Sequence, residues 1–130
     1  MTLNRITLLV DDVDRASGFY QEAFGFDLVE DAQVSATKRI VRVAPKGSLV
    51  RFNLAEPKVG DEEMIGHQAG QRVLAFLDTD NLDADLARFA EHAVVIIDGP
   101  RQEAFGRCVL VNDLVGNTWE FVERVTETGP

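Results

Sequence analysis

The chain has 130 residues, a formal net charge of −9, 45% apolar and 27% charged residues, and one cysteine. That is enough chain to bury a real core as one domain. The acidic balance argues against nucleic acid and anionic membrane surfaces as partners, while remaining compatible with a cationic ligand or with simple solubility. No run approaches the ~20 apolar residues needed to span a bilayer. No basic stretch leading into an apolar one opens the N-terminus, so no export signal is expected. Cys108 alone cannot form an internal disulfide, which fits a cytoplasmic setting.

Residues 4–10 alternate apolar and polar and end in Asp11-Asp12, a strand followed by helix-start chemistry. A helix is predicted from about Val13 to Phe24. Ala16, Phe19, Tyr20 and Ala23 form its apolar stripe, Asp14 suits its first turn and Gly25 stops it. Strands follow at about 27–31, 38–44 and 48–54, with Pro45-Lys46-Gly47-Ser48 as the turn between the last two. Residues 56–70 are polar, with three glycines and a proline, and read as a connection long enough to fold partly over a cavity.

A strand is then predicted at 72–77, followed by a helix with Asp80 as N-cap and Leu82, Leu86, Phe89 and Ala90 as its buried stripe. Strands follow at about 94–97, 107–112 and 118–123, with turns at Asp98-Gly99-Pro100 and Val115-Gly116-Asn117. The tail Thr126–Pro130 is expected to fray. The pattern occurs twice. Arg5-Ile6-Thr7-Leu8 lines up with Arg72-Val73-Leu74-Ala75 and Arg51-Phe52-Asn53-Leu54 with Thr118-Trp119-Glu120-Phe121, both at an offset of 67 (72 − 5; 120 − 53). A period this long indicates two structural units, not a solenoid.

Ile6-Thr7-Leu8-Leu9-Val10-Asp11-Asp12, then Ala16, Phe19-Tyr20 and Phe24-Gly25-Phe26, resembles the opening of a vicinal oxygen chelate domain. This superfamily contains glyoxalase I, the extradiol dioxygenases and the bleomycin resistance proteins. Phe105-Gly106-Arg107, Asn112-Asp113 and Gly116-Asn117-Thr118-Trp119-Glu120-Phe121 resemble its close, and the likeness covers about residues 3–124. The family's Asp-Pro-Asp-Gly-Asn turn is altered here to Asp113-Leu114-Val115-Gly116-Asn117. The resemblance implies an α+β fold of one domain, residues 1–130. Two βαβββ modules (about 3–55 and 71–124, joined by 56–70) would form a cupped eight-stranded mixed sheet, or pseudo-barrel, with the helices outside.

Strand alternation, taken with that resemblance, turns Arg5, Thr7 and Leu9, then Arg51 and Asn53, then Arg72, Leu74 and Phe76, then Thr118, Glu120 and Val122 toward the cup. Metal-using members carry His or Gln, Glu, His and Glu at the positions matched here by Arg5, Asn53, Arg72 and Glu120. Arginine has no lone pair to offer and repels a divalent ion, so a metal cofactor is disfavoured and none is assigned. Glu120 is a candidate general base, with pairing to Arg5 or Arg72 as its structural reading. His67 in the connection is read as exposed, with a swing over the cup as ligand or base as its functional reading. His92 is read as structural at a helix end, Cys108 as a buried, inert thiol, and Trp119 as core.

Two functions follow. The first is a metal-free protein that binds or sequesters a small molecule in the cup through Arg5, Thr7, Arg51, Asn53, Arg72, Leu74, Phe76 and Glu120, with Phe105 as a further aromatic. The inward arginines favour a ligand with an anionic or carbonyl group. The second is an enzyme of the same fold, a lyase, isomerase or dioxygenase, with or without a recruited divalent metal. A homodimer is expected, because the sheets leave edges that must be covered, and the modules of related proteins pair within or across chains.

Overall fold

Asp12 and Asn81 start the two helices. In this computed structural model, which describes residues 1–125, the side chain of each accepts a hydrogen bond from the backbone N–H three residues on, at 3.0 Å. That satisfies one of the donors a helix start leaves open. The cap of the second helix is thus Asn81 and not Asp80. The expected fraying of Thr126–Pro130 lies outside the described residues.

The first module runs β1 (Arg5–Leu9), α1 (Val13–Glu22), β2 (Asp27–Gln33), β3 (Arg39–Ala44) and β4 (Arg51–Ala55). The second runs β5 (Val73–Asp78), α2 (Leu82–Glu91), β6 (Ile96–Glu103), β7 (Gly106–Asn112) and β8 (Thr118–Arg124). Both are βαβββ units of an α+β fold. The expected turn at Asp98-Gly99-Pro100 lies inside β6, where two register irregularities against β7 absorb it. The reversal comes instead between Glu103 and Gly106.

The strands form two separate four-stranded sheets, ordered β1-β4-β3-β2 and β5-β8-β7-β6. The α+β fold of two βαβββ modules is as expected, and no closed barrel forms within the chain. The physical reason lies in the core. Leu8, Val41, Val43, Phe52 and Leu54 of the first sheet join Val109, Val111, Trp119 and Phe121 of the second, with Tyr20, Phe24 and Phe89 of the helical segments, in one buried cluster. Trp119 packs against Phe52 (ring centroids 5.2 Å apart) and Phe24 (5.4 Å), and Phe24 also meets Phe121 (5.3 Å). Both sheets therefore spend their helix-side faces on the same core, and each turns its other face away from it. Rings of this size dominate core energetics, and truncating one costs ~3–5 kcal/mol.

Two polar devices lock the modules together. Asp113, 6% exposed, accepts from Tyr20 Oη of α1 (2.7 Å), Trp119 Nε1 (2.9 Å) and Asn117 Nδ2 (3.1 Å), and from the backbone N–H groups of Val115, Gly116 and Asn117. From α2, Arg88 Nε donates to the Ala23 carbonyl (2.9 Å) and Nη2 to that of Phe24 (3.2 Å), closing the C-terminal end of α1.

The register also revises the internal repeat. From cap to cap the modules are offset by 69 (81 − 12), whereas Asn53 of β4 and Glu120 of β8 remain offset by 67 (120 − 53). Ladder partners agree: Thr7 pairs with Asn53, and Phe76, 69 positions on from Thr7, pairs with Glu120. The bulge between Val73 and Ala75 sets Val73 against Thr118 as Arg5 is set against Arg51, so the counterpart of Arg5 is Val73 and not Arg72. A shorter turn between β6 and β7 than between β2 and β3 restores the smaller offset downstream.

Candidate functional site

Strand alternation gives each sheet a second face opposite the core. On the first sheet this outer face is built from Arg5 and Thr7 on β1, Arg51 and Asn53 on β4, Arg42 on β3 and Glu30 on β2. Their registers run Arg5 to Arg51, Thr7 to Asn53, Asn53 to Arg42 and Arg42 to Glu30. Arg42 is the anchor. Its side chain is only 14% exposed, with Nη1 2.5 Å from Glu30 Oε1 and Nε donating to Asn53 Oδ1 at 3.3 Å. Arg5 and Arg51 are exposed and make no ion pair among the described residues.

On the second sheet the outer face carries Phe76, Leu110, Glu120, Cys108 and Val122. Phe76 is in register with Glu120, Glu120 with Leu110, and Val122 with Cys108. Phe76 is 66% exposed, unusual for so large an apolar ring. Glu120 is half-buried and forms no ion pair with Arg5, Arg72 or any other cation among the described residues. This corrects the expected pairing, because Arg5 lies on the other sheet and Arg72 precedes β5. Cys108 is a free, buried thiol with the Arg101 guanidinium 3.9 Å from its Sγ. Asp98, foremost, with Cys108 and Glu103, pushes the Arg101 guanidinium above its ordinary value.

The structure thus brings Arg5, Thr7, Arg51 and Asn53 onto one face and Phe76 and Glu120 onto another. Arg72 is exposed, with its backbone N–H turned to the Ala69 carbonyl. Leu74 sits at a register irregularity of β5 and packs against the core, so it faces no cup within the chain. A bulge of this kind shifts the alternation by one residue, which period-2 reading cannot foresee. Phe105 lies between β6 and β7, half exposed, with the Arg124 guanidinium 5.9 Å from its ring centre. Glu30 and Arg42 were missed because inward residues were assigned only on the first and last strands of each module. Their opposite charges on two successive predicted strands were the available signal.

The connection borders the first face without covering it. The Gln68 amide accepts from the Leu9 N–H (2.7 Å) and donates to the Thr7 carbonyl (2.9 Å), occupying the free edge of β1. Gly66, at φ +77, presses against the Val115 carbonyl, so a side chain there would collide with backbone. His67 is exposed on the turn between them, and His92 is the exposed C-cap residue of α2.

A family model described as the Glyoxalase/Bleomycin resistance protein/Dioxygenase superfamily matches residues 2–121. The chain belongs to this superfamily. An uncharacterized protein of Shewanella frigidimarina (strain NCIMB 400) is 36% identical over 123 residues, covering 91% of this chain and 90% of that one. The fold is similar to the crystal structure of TnmS3, an antibiotic binding protein from Streptomyces sp. CB03234. The TM-score is 0.77 at 32% identity, covering 96% of this chain and 97% of that one. It is also similar to a glyoxalase/bleomycin resistance protein from the same Streptomyces, with a TM-score of 0.74 at 31% identity over 94% and 100% of the two chains.

Metal-using members of the superfamily hold a divalent ion on one residue from the first and last strand of each module. Corrected for register, those positions hold Arg5, Asn53, Val73 and Glu120, of which only Glu120 is a strong ligand. Among the described residues, no three His, Cys, Asp or Glu side chains stand close enough to share a metal. The donor set present does not fit such an ion, and no step is routed through one. Among the described residues, no helix is long and apolar enough to cross a membrane.

Proposed function

We propose that this protein is a metal-free binding domain of the superfamily that captures an antibiotic-like small molecule in the cytoplasm. The cup would form between the first-sheet face of one chain and the second-sheet face of a second copy. The observation that carries the reading is the pair of faces turned away from the core, one polar and cationic, the other with Phe76 exposed. Neither encloses a ligand alone, and sheet faces and edges left open in this way favour association. The likeness to an antibiotic binding protein supports the class of ligand. The replacement of metal ligands by Arg5, Asn53 and Val73 supports sequestration rather than Lewis-acid chemistry.

Glu120 favours one alternative, an enzyme (lyase, isomerase or dioxygenase) using this unpaired carboxylate as general base. Calorimetric titration against a panel of antibiotics, with product analysis, separates the two. Sequestration predicts saturable binding of at least one compound, returned unchanged, by a dimer of about 28.8 kDa (2 × 14.4) carrying no stoichiometric metal. Turnover abolished by Glu120→Gln would establish the enzyme. A protein that stays monomeric at micromolar concentration, or that binds about one zinc, nickel or iron per chain, would overturn the proposal.

A further inference from the structure

We infer that the outer face of the first sheet is an anion site selecting ligands that carry a carboxylate or acidic phenol on a flat apolar body, with Arg42 as the specificity-determining residue. This rests on the reading that these outer faces hold a ligand. The chain is acidic overall, at −9, yet this face gathers the three guanidiniums of Arg5, Arg42 and Arg51 against the single carboxylate of Glu30. Glu30 pairs with Arg42, while Arg5 and Arg51 have no carboxylate partner among the described residues and are left for an anion to join.

Arg42 is built for recognition, not for solubility. Glu30 on Nη1 and Asn53 on Nε fix the plane of the guanidinium on a side chain that is only 14% exposed. Its Nη2 makes no hydrogen bond among the described residues, so the free edge of the fork is presented in one orientation. A planar, always-charged fork held in this way matches a carboxylate better than a mobile ammonium would. Arg5 and Arg51 stand side by side in register and line, with Asn4 and Leu49, an open hollow of about 410 Å³. Leu49 is 84% exposed there and offers apolar contact to a ring. Arg42, next to Arg51 on the same face, opens with Asn53 onto a second hollow of about 670 Å³ whose rim also carries Asp11, Asp12, Asp14 and Glu56. The charge requirement is thus set by the first sheet alone, whatever the second contributes.

The test uses the full-length protein and two probes of one shape, 2-naphthoate and its neutral amide, 2-naphthamide. Calorimetry is expected to give at least ~10-fold tighter binding of the acid, weakening with added salt, as charge-assisted hydrogen bonds require. Arg42→Gln and Arg51→Gln should each erase that preference, whereas Arg15→Gln, an equal change of net charge on α1, should keep it. In the parent, the Arg42 Nε–H resonance should shift saturably with naphthoate and not with the amide, a readout independent of whether the variants fold. Equal affinities for acid and amide overturn the inference and leave the proposed function standing. So does an Arg42 resonance unmoved by naphthoate. Acid selectivity in a protein that captures no antibiotic would sink the proposed function while keeping the anion site.

Discussion

Replacing Tyr20 with Phe should cost ~1.5–3 kcal/mol, the range for a hydrogen bond to a charged acceptor. The ring stays packed against Phe24, Phe26 and Trp119, so only the hydroxyl is lost. Asp113 would keep Trp119 Nε1, Asn117 Nδ2 and three backbone donors, and its charge would remain compensated. Asp113→Asn should be worse, at ~3–5 kcal/mol. Each carboxylate oxygen accepts three donors; an amide nitrogen in place of Oδ1 would face three backbone N–H groups with no lone pair, and in place of Oδ2 it would still confront the Trp119 Nε1–H. Trp119 is the sole tryptophan, fully buried beside Asp113, so its fluorescence reports urea unfolding directly. The midpoint should fall with unchanged m-value, Asp113→Asn more than Tyr20→Phe. A Tyr20→Phe variant within ~0.5 kcal/mol of the parent would refute the view that this bond ties the modules together, since surface changes are of that size.

Burial, then the charge of Asp113 and the hydrogen bond to it, hold the Tyr20 phenol well above its ordinary value of 10.0. The folded state therefore keeps a proton that the unfolded chain releases above that pH. The contribution is fully present below pH 10 and is lost as pH rises beyond it, by up to ~1.4 kcal/mol per pH unit. Since Tyr20 is the only tyrosine, its phenolate absorbance should appear only as the protein unfolds, and Tyr20→Phe should flatten the alkaline slope; phenolate formation in the folded protein would contradict this. Gly66→Ala places a Cβ about 2.1 Å from the Val115 carbonyl at φ +77. It should destabilise by at least ~1 kcal/mol and increase hydrogen exchange at the Leu9 amide, which Gln68 holds. Unchanged exchange at Leu9 would show that the connection is not pinned at Gly66.

The order of elements, both helices and most strand limits were legible in the sequence, because they follow from local periodicity and end signals within a dozen residues. So were the core-facing sides of β4 and β8, where Phe52, Leu54, Trp119 and Phe121 alternate cleanly with polar neighbours. The superfamily was legible because its motifs survive in order at both ends of the chain. What only the tertiary structure decided depends on pairings between distant residues. One bulge at Leu74 and one shortened turn after Glu103 moved the counterpart of Arg5 from Arg72 to Val73. Local alternation carries no record of either, since an extra residue in a ladder is visible only against its partner strand. The same holds for the choice of core. An aromatic cluster shared by both modules sends the two outer faces apart, and no spacing along the chain could have told a closed cup from two open ones.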